Sequence, residues 1–157
     1  MNLYVRIKTT FLRKVVFVFG EEFMLGNEER YLDDKGRVSL PSFCKADKDD
    51  KVIILSMGDY IEIWGEIEFY KYLEYYQIDP FAYSDSITAF IVLKDVNIDA
   101  LKRINLTKRL VGEYKLSNEV HVEGKGKFIR IWNPTKFLEY QKKMNDTSLA
   151  LKKVKMI

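Results

Sequence analysis

Two short segments pair an aspartate with an arginine four positions later. Asp33-Asp34-Lys35-Gly36-Arg37 leads into Val38-Ser39-Leu40, and Asp99-Ala100-Leu101-Lys102-Arg103 leads into Ile104-Asn105-Leu106. A carboxylate at the start of a tight turn can accept the turn's backbone N–H groups or pair with the arginine that leaves it. An arginine oriented in this way presents a planar fork of donors, which suits phosphate oxygens and guanine edges. Gly36 permits the positive φ needed between an incoming and an outgoing strand. Lys35 at the tip adds a point charge. In the second copy Lys102 stands in the glycine place and Leu101 in the place of Lys35. One such turn alone is adequately explained as a salt bridge pinning a loop. Two copies at matching places in a repeat favour a shared task for the arginines.

The repeat itself is the strongest pattern in the chain. Ile61, Ile63, Trp64, Phe69 and Tyr72 match Ile129, Ile131, Trp132, Phe137 and Tyr140 at an offset of 68, and the two tryptophans are the only ones present. Upstream, the Asp-x-x-x-Arg turns match at an offset of 66. Each unit therefore reads as turn, short strand, loop, strand, turn, strand and helix. Val38 and Leu40, like Ile104 and Leu106, alternate with polar residues as half-buried strands do. Residues 51–56 form a fuller apolar run, which suggests a strand covered on both faces. Asn133-Pro134 is a good N-cap and first-turn pair for the second helix, whereas Gly65 is a weaker cap for the first. Asp79-Pro80 or Ser84-Asp85 could open a further helix through Ile87, Phe90, Ile91 and Leu93. The stretch 145–157 is Lys-rich and reads as a frayed helix with an apolar stripe.

The expected fold class is α+β and β-rich. Two units of about 45 residues each are too small to bury their apolar faces alone, so they should pack as a pseudo-twofold pair. The expected divisions are an extension over 1–25, unit one over 26–77, a linker or helix over 78–92, unit two over 93–144 and the tail 145–157.

The bulk numbers exclude several classes. With 47% hydrophobic residues, disorder over most of the chain is not expected, and a net charge of +3 is only mildly basic. The single cysteine, Cys44, cannot form an intramolecular disulfide, and it fits a reducing cytosol as a packed thiol. The single histidine, His121, lies in the other half and reads as a satisfied, half-buried side chain. There is no metal-ligand spacing, Gly-rich phosphate loop or serine elbow, so neither an enzyme nor a cofactor is expected. Lys108, Arg109, Lys125 and Lys127 are weaker candidate contacts that read as solvated surface. The aromatic wealth of 69–90 reads as packing. Arg13-Lys14 and the apolar residues 15–19 resemble a signal peptide, but that run falls short of the ~7–15 residues of such a region. No export signal or membrane anchor is expected. Gly20-Glu21-Glu22 could be encoded by a ribosome-binding stretch, which makes Met24 the expected natural start.

Gly26 and the run Leu32-Asp33-x-Lys35-Gly36-Arg37-Val38-Ser39-Leu40-Pro41, together with the Ile-x-Ile-Trp strand and aromatic helix ending each half, resemble the MraZ family over about residues 24–144. The resemblance implies two AbrB-like units of the swapped-hairpin type, ring assembly with other copies, and binding to repeated promoter sites of the division and cell-wall gene cluster. It implies a cytoplasmic, nucleoid-associated regulator that binds double-stranded DNA, with no membrane or small-molecule partner. Carried over, Asp33, Lys35, Gly36 and Arg37 match the first motif, and Asp99 and Arg103 the second. Lys102 stands where the family usually has glycine, and Thr107 is the counterpart of Pro41. The expected DNA contacts are Lys35, Arg37, Lys102 and Arg103, with Asp33, Gly36 and Asp99 shaping the turns. Two alternatives are an antitoxin built on the same unit and a ring scaffold with only non-specific DNA affinity.

Overall fold

A computed structural model describes residues 23–76 and 87–155. The export-signal reading of residues 1–22 and the helix starts at Asp79 and Ser84 lie outside the described residues. The elements in chain order are β1 (Met24–Tyr31), β2 (Arg37–Ser39), β3 (Lys51–Ser56), β4 (Ile61–Gly65) and α1 (Glu66–Tyr75). A 3-10 turn (Ile87–Phe90) leads into β5 (Ile91–Asn97), β6 (Arg103–Asn105), α2 (Thr107–Glu113), β7 (Glu119–Gly126), β8 (Phe128–Trp132) and α3 (Pro134–Lys155).

Six strands form one sheet in the order β1-β7-β8-β4-β3-β5, and β2 pairs with β6 in a separate ribbon. The first strand of each unit thus pairs with the third strand of the other: β1 with β7, and β5 with β3. The centre of the sheet is the antiparallel contact of β4 with β8, where Ile61 faces Ile131, Glu62 faces Arg130 and Ile63 faces Ile129. The halves are related by the expected pseudo-twofold, and their strands are exchanged as the swapped-hairpin resemblance implied. Close backbone approach makes the exchange possible at one edge. Gly124 of β7 faces Gly26 of β1, and a Cβ on Gly124 would collide with the main chain of Met24.

Alternation along β4 and β8 sends side chains to two different cores. Ile61, Ile63, Ile129 and Ile131 join Val38, Ile104, Leu106 and Leu110 beneath the ribbon. On the opposite face Trp64 packs with Ile53, Leu55, Phe69 and Leu73 under α1. There Trp64 stacks on Phe128 at 4.5 Å, and Trp132 contacts Phe137 and Tyr140 of α3. The tryptophans are therefore packing residues, each with its indole N–H donated to a buried carboxylate, Glu62 or Glu123.

Two readings of secondary structure need correction. Ile91 and Leu93 belong to strand β5 rather than to a helix, because β3 offers them an open edge to pair with. The segment between the second and third strands of unit two is helix α2, not a loop. Leu110, Val111 and Tyr114 share one apolar side there, and Leu116 buries just beyond it. The matching stretch of unit one, residues 41–50, is shorter and ends in a run of charged residues, and it forms turns. Beside this loop lies an open cleft of about 750 Å³ lined by Leu40, Cys44, Val52, Ile63 and Ile104. At the helix starts, Asn133 accepts the N–H of Thr135 through Oδ1, as a cap should, while Gly65 makes no side-chain cap bond. The expected helix over the tail is observed as far as Lys155.

Candidate nucleic-acid interface

Both Asp-x-x-x-Arg segments fold into the same turn, bond for bond. Asp33 accepts the N–H groups of Lys35 and Arg37 on Oδ1 at 3.0 and 2.8 Å, and Arg37 Nε on Oδ2 at 2.6 Å. Asp99 accepts the N–H groups of Leu101 and Arg103 at 2.9 and 2.8 Å, and Arg103 Nε at 2.7 Å. Main-chain bonds from Asp33 to Arg37 and from Asp99 to Arg103 close the loops. The N–H of Arg37 is the largest influence on the Asp33 carboxyl and holds it below the usual aspartate value. Burial raises Asp99, but the N–H and guanidinium of Arg103 outweigh it and the net shift is also downward. Both groups therefore stay ionised and hold their arginines by Nε.

The left-handed corner of each turn falls at Gly36 (φ +83°) and at Lys102 (φ +56°). A glycine is needed at the first corner for space as well as for φ, since a Cβ there would come within 3.3 Å of the Thr107 carbonyl carbon. Lys102 adopts the same conformation at a cost, because L-residues crowd their own carbonyl there.

The ribbon brings the two turns together. Val38 faces Ile104 in the β2–β6 register, and both are buried against the sheet. Alternation then leaves Arg37, Ser39, Arg103 and Asn105 on the outward face. Reciprocal bonds from Leu40 N–H to Lys102 O and from Leu106 N–H to Gly36 O lock each strand to the opposite turn. Arg103 Nη1 also lies 3.9 Å from Asp33 Oδ2.

Arg37 and Arg103 thus share the outward face of the ribbon, with the exposed Lys35 and Lys102 in the turns that lead into it, although the two segments lie more than sixty residues apart. Their charge balance is unequal. In the first turn Asp33 and Asp34 offset Lys35 and Arg37, whereas in the second Asp99 stands alone against Lys102 and Arg103. The sequence reading missed Arg30, whose guanidinium donates to Ser39 O and Oγ at 3.1 and 2.6 Å beside the ribbon. It sits in the charged run Glu28-Glu29-Arg30, which reads as solvated surface. Asn105 was also missed; its Oδ1 accepts the N–H of Thr107 at 2.8 Å, which fixes the amide.

Residues outside this surface have structural roles. Cys44 is buried, and desolvation pushes its thiol up to about 12. His121 stacks on Phe137 and hydrogen-bonds Asn27 Oδ1 at 3.0 Å. Among the described residues, no group of three His, Cys, Asp or Glu could hold a metal, and no helix is long and apolar enough to cross a membrane.

A family model described as "MraZ protein, putative antitoxin-like" matches residues 23–88 and again 90–157. The chain belongs to the MraZ family. The two matches reproduce the internal repeat, and the exchanged strands give it physical form. MraZ proteins are a regulator-type family rather than a family of enzymes.

Proposed function

We propose that this MraZ protein is a sequence-specific DNA-binding regulator of the bacterial division and cell-wall gene cluster. It docks the β2–β6 ribbon on double-stranded DNA and acts as a ring of copies aligned with repeated promoter sites. The observation that carries this reading is the pairing of two identically built arginine turns on one outward face. Arg37 and Arg103 supply oriented forks for phosphates or guanine edges, and Lys35 and Lys102 supply point charges for the backbone. Asp33, Gly36 and Asp99 shape the turns. Two-stranded ribbons are of a size that enters a major groove. One protomer offers few phosphate contacts, so a ring spanning repeats gains avidity of ~10²–10⁴.

The test is titration of the protein against DNA from upstream of its own coding region, alongside a scrambled duplex. Tight binding to the first, lost with Arg37→Ala while the protein stays folded, supports the reading. Equal affinity for both duplexes would leave a scaffold with non-specific affinity. The antitoxin-like wording of the family description favours a second reading, in which the same fold neutralises a partner toxin. Co-purification of a small ribonuclease from the native host would support that alternative.

A further inference from the structure

The identical bonding of the two turns permits a residue-by-residue comparison of their tips. In each, the carboxylate Oδ1 takes the N–H of the second residue after the aspartate, which fixes that residue at the apex. The apex residue is Lys35 in the first turn and Leu101 in the second. Leu101 is 69% exposed and belongs to neither hydrophobic core. Single exposed leucines are common on protein surfaces. Here, however, the leucine stands where the other half places a cation, on a ribbon that carries Arg37 and Arg103 on its outward face. Against DNA, a cation at such an apex meets a phosphate or a base acceptor. A branched apolar side chain at the same height gains nothing from phosphate, and the only apolar group that a major groove presents is the C5-methyl of thymine.

We infer that Leu101 is a specificity-determining residue that packs on a thymine methyl, so that the two halves of the ribbon read unlike sequence. The first turn contributes charge at its apex and the second contributes a choice of base. This inference rests on the proposed DNA binding of the ribbon.

The test uses the full chain and duplexes from upstream of its own coding region, in which every thymine is replaced by deoxyuridine. That change deletes methyl groups and alters no hydrogen-bonding group. The wild type should bind the uracil duplex about fourfold more weakly for the methyl that Leu101 covers. Leu101→Ala should shrink that penalty about fourfold relative to the wild type. Leu101→Lys should also lose it, while steepening the dependence of log affinity on log salt by ~0.9. An identical uracil penalty in wild type and Leu101→Ala would overturn the inference. So would a smaller assembled mass for Leu101→Ala with the penalty intact, which would place the leucine between copies. If the wild type binds neither duplex, the DNA reading itself fails, and that outcome is distinguishable from methyl-blind binding.

Discussion

The carboxylate of Asp33 serves both halves of the chain: its Oδ2 takes Arg37 Nε at 2.6 Å and lies 3.9 Å from Arg103 Nη1. One side chain thereby orients an arginine in its own turn and faces the arginine of the other. Asp33→Ala should therefore disturb recognition more than loss of one surface charge would. It removes a negative group from the proposed DNA-facing surface, so affinity for unrelated DNA should rise slightly. The ratio of specific to unrelated affinity should fall about tenfold, within the range expected for losing one oriented bidentate contact. Fluorescence anisotropy with both duplexes measures the ratio, and an unchanged ratio would reduce Asp33 to a loop staple.

The corners of the turns should respond in opposite directions to substitution. Gly36→Ala forces an L-residue into φ +83° against the Thr107 carbonyl. It should cost about 1–2 kcal/mol of stability. Lys102→Gly relieves the same conformation at φ +56°. Part of that relief is cancelled by the greater freedom of glycine in the unfolded chain, so a gain of about 0.5 kcal/mol is expected. Urea unfolding of the two variants beside the wild type reads both signs.

Much of this design was legible in the residues, and the gaps have physical causes. The tryptophans and their Ile-x-Ile strands gave away the repeat because packing demands the same bulky residues in both halves. The arginine turns were legible because the carboxylate and guanidinium act within five residues of one another. Strand exchange leaves no local trace: nothing in Gly26 or Gly124 alone says that the two must meet. Helix α2 was hidden because its first-unit counterpart has lost the apolar spacing, so the repeat argued for a loop in both. Arg30 was hidden because its partner, Ser39, lies across a turn, and the charged residues beside it resemble ordinary surface.

Exchange of strands predicts that neither unit is a stable body. Residues 23–76 expressed alone leave β3 without β5, and residues 87–157 leave β7 without β1. Each half should lack cooperative unfolding when isolated. Co-expressed as two chains, they should form a 1:1 complex with the circular dichroism spectrum of the intact protein. A half that melts cooperatively as a monomer would contradict the exchanged pairing.

Titration should separate the turns from the core. Asp33 and Asp99 have lowered values in the folded protein, so their contribution to stability is fully present above the ordinary aspartate value of 3.8 and is lost as pH falls below it. His121 is lowered from 6.5, chiefly by burial, so folding favours its neutral form. Its contribution is complete above pH 6.5 and declines as pH falls below that value. Thermal melting across this range should show a shallow loss starting near pH 6.5, absent in His121→Gln, and a second loss below 3.8, reduced in Asp33→Asn.

The pairing of Glu62 with Arg130 at the middle of the sheet bears on how such a chain could arise. These two positions correspond to each other in the repeat, and each lies opposite its own counterpart. In a dimer of identical single units, whatever residue stood there would confront itself, and a glutamate or an arginine would meet its own charge. Joining the units in one polypeptide lifts that demand for self-complementarity. The central pair can then become opposite in charge, one corner can keep glycine while the other gains lysine, and one apex can trade a cation for a leucine. A covalently joined pair can thus keep a symmetric scaffold beneath an asymmetric surface.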